Sequence, residues 1–138
     1  MGSLFYIEPE GTIRRTVEVS NLSVTREKEN VPLFISLDMK NTGNVDITAS
    51  GTFHIINKEG MVYARSEFEK VYTFPQDKGT LKGEWRESIP AGIYDLIITL
   101  DLGKALEEAE MGRGPVITKE AEIEIGAYGQ VVKVGDLK

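Results

Sequence analysis

The sequence predicts an all-β Greek-key sandwich of about seven or eight strands. Three observations carry this prediction. Apolar and polar residues alternate along most of the chain, turn residues break the alternation at short intervals, and only one short stretch favours a helix. Successive side chains of a strand point to opposite faces, so alternation with a period of two marks a sheet with one buried face.

The first strand is read over Thr12 to Val19, after a linker-like residues 1–11 whose Met1-Gly2-Ser3 start resembles an expression remnant. From Val31 to Lys40, Leu33, Ile35, Leu37 and Met39 share one face while Ser36, Asp38 and Lys40 share the other. The run Asn41-Thr42-Gly43-Asn44 supplies residue types that tolerate positive φ, so a turn or bulge is expected there. Val45, Ile47, Ala49, Phe53 and Ile55 then form a further inward face, and Asn57 to Gly60 reads as a short hairpin loop into Met61 to Arg65.

Glu69 to Phe74 is the next expected strand, ended by Pro75, and Gln76 to Gly79 reads as a loop. Leu81 to Glu87 carries Trp85 in a weaker alternation. Ile93 to Leu102 alternates cleanly, with Tyr94, Leu96, Ile98, Leu100 and Leu102 inward. Lys104 to Met111, rich in Ala, Leu and Glu between Gly103 and Gly112, predicts a helix of about two turns. Val116 to Ile125 is the final long strand, with Ile117, Ala121, Ile123 and Ile125 inward. Residues 126–138 fit either a last edge strand around Val131 to Val134 or a linker. The sandwich thus spans residues 12–125.

Composition narrows the function classes. The 22 acidic and 16 basic residues give a formal net charge of −6, which repels phosphate backbones and disfavours nucleic acid as a partner. No apolar run approaches the ~20 residues of a membrane helix, so direct membrane insertion of this segment is not expected. Zero cysteines exclude disulfides, thiolate nucleophiles and Cys-ligated zinc. His54 is the single histidine, lies between Phe53 and Ile55 in a strand, and reads as structural.

Glu107, Glu108 and Glu110, and separately Glu120, Glu122 and Glu124, read as solvated acidic faces rather than paired catalytic carboxylates. Neither a calcium-loop pattern nor a phosphate-binding glycine loop occurs. These readings predict no catalytic residue, no metal and no cofactor.

The segment Ile89-Pro90-Ala91-Gly92-Ile93-Tyr94 resembles a tyrosine corner, in which a Tyr hydroxyl bonds upstream backbone at a sheet crossover. With Asn41 to Asn44, Gly60, Pro75, Trp85, and Gly92 with Tyr94, it resembles immunoglobulin-like domains of bacterial or archaeal surface and periplasmic proteins, including those related to PapD-like pilus chaperones. The resemblance implies an extracytoplasmic setting and a non-enzymatic structural, adhesion or interaction module of a larger protein. It does not carry chaperone activity, which needs two sandwich domains and a basic anchor. Gly92, Tyr94, Leu96 and Leu37 are its structural residues, with Leu96 expected to meet Leu37 or Ile35 across the sheets.

Two candidate surfaces follow. The long connection Lys104 to Val116 sets Glu107, Glu108 and Glu110 beside Leu106 and Met111, a pattern suited to a protein partner such as a neighbouring domain. Trp85, Tyr63 and Tyr72 are candidates for an aromatic platform, which makes carbohydrate the alternative partner and a carbohydrate-binding module the alternative function. A hydrolytic enzyme is a distant third.

Overall fold

The computed structural model describes residues 15–28, 30–103 and 116–138. Nine strands are described: β1 (Val17–Thr25), β2 (Leu33–Asn41), β3 (Ile47–Asn57), β4 (Val62–Glu67), β5 (Val71–Thr73), β6 (Lys78–Trp85), β7 (Gly92–Asp101), β8 (Val116–Ile125) and β9 (Val131–Val134). All pairings among them are antiparallel. One sheet runs β9-β8-β7-β3-β4, with β5 also on β3, and the other runs β1-β2-β6.

The alternating residues drive this arrangement. Leu33, Ile35, Leu37 and Met39 of β2, with Leu81 beside them on β6 of the same sheet, share one buried core cluster with Leu96, Ile98 and Leu100 of β7 and Phe53 and Ile55 of β3 from the other sheet. Phe53 and Phe68 add a tilted ring contact at 5.4 Å. Leu37 and Leu96 are both fully buried at the centres of their sheets, as their alternation requires.

Several boundaries differ from the sequence expectation. β1 runs on to Thr25 because a bulge between Ser20 and Ser23 resets the alternation, and Asn21 adopts a left-handed φ of 53° there. β6 begins at Lys78, inside the expected loop. Gly79 occupies an inward position where a Cβ would lie 2.4 Å from Val71 Cγ1, so a neighbouring strand fills the space that an apolar side chain would otherwise mark. The strand expected over Glu69 to Phe74 is confined to Val71–Thr73. Before it, the Glu69 N–H leaves the β3 edge and donates to Lys82 of the other sheet at 2.9 Å.

Asn41 to Asn44 turns as expected, but by another device, since none of these residues has positive φ. Asn41 is fully buried, and its amide donates to the carbonyls of Val45 (2.9 Å) and Thr73 (3.3 Å) while accepting from the Gly43 N–H (2.9 Å). The C-terminal segment is an edge strand: β9 pairs with β8, and Lys138 and Glu120 exchange backbone bonds of 2.8 and 3.1 Å.

Candidate functional site

The register brings three connections to one end of the sandwich. β2 leaves at Asn41 and β3 enters at Ile47, β5 leaves at Thr73 and β6 enters at Lys78, and Asp101 of β7 pairs with Val116 of β8. Thr73 stands opposite Ile47, and Asp101 opposite Ser50, so these chain ends share one rim. Immunoglobulin-like sandwiches commonly place binding loops at such an end, on a rigid scaffold.

Two large rings protrude there. Tyr72 and Phe74 alternate outward on either side of the buried Thr73, at 55% and 56% exposure. Their centroids lie 5.2 Å apart at an interplanar angle of 80°, an edge-to-face pair. The Tyr72 hydroxyl donates to Asp46 Oδ2 at 2.5 Å, and this bond to a carboxylate raises the Tyr72 pKa above the ordinary phenol value. The Phe74 carbonyl accepts from Asp77 N–H at 2.9 Å, closing the turn that leads into β6.

The expected aromatic trio is not one patch. Tyr72 is opposite Thr48 near the start of β3, whereas Tyr63 lies in the bulge where Ile55 and Ile56 meet Ala64 and Val62. At about 3.3 Å per residue, these places are more than ~20 Å apart along β3. Tyr63 packs edge-on against Tyr94 at 5.3 Å, and Trp85 lies partly buried against the core opposite Leu33. Both are therefore packing residues, and Phe74, absent from the expected trio, is the ring that joins Tyr72. Its place two residues from Tyr72 on the same alternating face was the available signal.

Leu106, Glu107, Glu108, Glu110 and Met111 lie outside the described residues. The flanking Gly103 and Val116 are described, and Gly103 takes a left-handed φ of 65° with its N–H on Asp101 Oδ1 at 2.8 Å.

At the opposite end, the Tyr94 hydroxyl donates to the Pro90 carbonyl at 2.6 Å, and Gly92 has a φ of 153°. Burial first, then the nearby Tyr63, raises the Tyr94 pKa.

A second polar feature lies on the outer face of the smaller sheet. Asp38 accepts from Asn21 Nδ2 (2.9 Å) and Thr80 Oγ1 (3.0 Å), in a shallow groove also lined by Lys40 and Lys78. Those two hydrogen bonds, Asn21 first, hold the Asp38 carboxyl below the usual range. His54 lies on the outer face of the larger sheet, opposite Arg65 and Ile97. Among the described residues, no group of three or more His, Cys, Asp or Glu side chains could hold a metal ion.

No family model matches the chain, and no curated protein sequence matches it. Among solved structures, it is similar to the C-terminal domain of wzt, with a TM-score of 0.57 at 11% identity over 95% of this chain and 87% of that one. The CARDB domain of a Pyrococcus furiosus protein superposes less well, with a TM-score of 0.42 at 18% identity over 80% and 93% of the two chains. The alkylpurine DNA glycosylase AlkC of Pseudomonas fluorescens gives 0.48 at 10% identity, over 74% of this chain and 29% of that one. At these identities the likeness concerns architecture alone. The chain has an immunoglobulin-like, all-β sandwich fold.

Proposed function

We propose that the chain is a non-enzymatic interaction module of a larger extracytoplasmic protein, and that it engages a protein partner through the loop end bearing Tyr72 and Phe74. The observation that carries this reading is the exposed, edge-to-face ring pair with Tyr72 tied to Asp46. Aromatic anchors are enriched at interface hot spots, and rings held in advance lose less entropy on binding. The resemblance to pilus-chaperone-related surface domains supports the extracytoplasmic setting.

The test is a photo-crosslinking residue at the exposed turn position Gln76, with a control at the exposed Thr118, in the parent organism. A protein adduct from position 76 that is lost in the Tyr72→Ser/Phe74→Ser variant is the expected result. Adducts from position 118 alone would move the interface to the larger sheet's outer face.

The same exposed rings favour a second reading, a carbohydrate-binding module. Saturable binding on a glycan array that the same double variant abolishes, with no protein adduct, would establish that reading in place of the first. Turnover of any substrate would overturn the non-enzymatic assignment.

A further inference from the structure

We infer that the loop end recognises a cationic side chain, an arginine or lysine of the partner, stacked on the Tyr72–Phe74 pair and neutralised by Asp46. This rests on the loop-end reading and adds the chemistry of what binds there. A cation over an aromatic face is attracted by the ring's negative quadrupole, and the attraction grows as the site is desolvated. Two rings at 80° expose faces in different directions, so a planar guanidinium can lie on one while its aliphatic stem packs on the other.

Asp46 supplies the second element. Its Oδ2 already accepts from the Tyr72 hydroxyl at 2.5 Å, which places the carboxylate at the rim of the ring. Its other oxygen can pair with a guanidinium or ammonium group lying on that ring. Donation to a carboxylate also leaves more electron density on the phenol, which strengthens the ring's attraction for a cation. Asp77 stands at the far side of the turn, hydrogen-bonded through its N–H to Phe74. Lys40 and Lys78 line the groove on the smaller sheet's outer face, where they face away from the larger sheet. The net charge of −6 favours approach of a positive partner at low ionic strength.

The experiment is a 15N–1H NMR titration of the full chain with acetyl-Gly-Arg-Gly-amide, and with its citrulline counterpart, which keeps the shape and removes the charge. Saturable shifts centred on the amides of Asp46, Tyr72 and Phe74 are expected for the arginine peptide. The citrulline peptide and the Asp46→Asn variant should each bind at least about fivefold more weakly. Asp46→Asn keeps an acceptor for the Tyr72 hydroxyl, so the ring stays in place, and Tyr72→Ser/Phe74→Ser should abolish the shifts. Equal binding of the two peptides overturns the inference, as do shifts centred on Glu120, Glu122 and Glu124, or no shifts at all. If the crosslink from position 76 still depends on Tyr72 and Phe74 after such a result, the loop-end reading stands and the cation inference alone fails.

Discussion

Asp95 and Glu122 stand directly opposite each other in the β7–β8 ladder, two like charges in a pairing that costs stability by itself. Lys58, in the turn after β3, resolves the conflict by placing Nζ 2.8 Å from Asp95 Oδ1 and 2.7 Å from Glu122 Oε2. The two hydrogen bonds, Asp95 first, raise the lysine pKa. Lys58→Met should destabilise the fold, more at low salt than at high salt, because it restores the bare carboxylate pair. A raised folded pKa stabilises fully below the unfolded lysine value of about 10.4, and that contribution is lost as pH rises through the folded value. The wild type should therefore lose stability above about pH 10.4 by more than the Met variant, in urea melts across that range. Equal slopes would dismiss the bridge.

Tyr94 pins the crossover from the β6–β7 connection into the larger sheet through its 2.6 Å bond to the Pro90 carbonyl. Tyr94→Phe keeps the ring contact with Tyr63 and removes the hydroxyl alone. The expected loss is about 0.5 to 1.5 kcal/mol, the net worth of one hydrogen bond, with an unchanged circular dichroism spectrum. An unaltered urea midpoint would show that the bond contributes nothing.

Leu96 is fully exposed to the core and not at all to water, packed in the cluster that holds Leu37 and Ile35. Leu96→Ala should cost about 2 to 5 kcal/mol in chemical denaturation through lost burial and a residual cavity. A loss below ~1 kcal/mol would mean that the site collapses around the smaller side chain.

Asn41 closes the β2–β3 turn from inside, with its amide satisfying two carbonyls and one N–H. Asn41→Ala should cost about 1 to 3 kcal/mol for each buried group left without a partner. Asn41→Asp should be worse still, because a carboxylate would face the Val45 and Thr73 carbonyls. Near-wild-type melting of the Asp variant would show that the turn can do without these donors.

What the sequence disclosed and what it hid have physical causes. β2, β3, β7 and β8 were legible because their inward positions carry mostly apolar side chains at every second residue, the exceptions including Asn41 at the end of β2, Gly51 of β3 and the rim of β8. β6 was half hidden because Gly79 and Gly83 stand at inward positions filled by other residues: a Cβ at Gly83 would meet Phe53 at 3.0 Å and Phe68 at 3.1 Å. β1 was cut short because the Asn21 bulge moves the inward set from Val17 and Val19 to Leu22 and Val24. The site was harder to read. Tyr72 stands out in the sequence as an aromatic, but only the β3–β5 register separates it from Tyr63 and leaves Phe74 as its neighbour.

The connection from β7 to β8 offers the last test, since it leaves and returns at the end that carries Tyr72 and Phe74. Asp101 pairs with Val116, so the two strands already meet where the connection begins. Gly103 is tied to Asp101 Oδ1, and a Cβ there would lie 3.0 Å from the Thr48 carbonyl, which fixes the exit of β7 against β3. Replacing residues 104–115 with Asn-Gly should therefore leave both sheets intact. Loop closure costs about 0.6 kcal/mol per doubling of length, so the shortened chain should gain roughly 1 to 2 kcal/mol if the removed residues make no stabilising contacts. The acidic Glu107, Glu108 and Glu110 go with them, while Tyr72, Phe74 and Asp46 remain. If the ring pair is the anchor, the shortened chain keeps its crosslink from position 76 and its shifts with the arginine peptide. A folded, stabilised variant that loses both would transfer the binding role to residues 104–115.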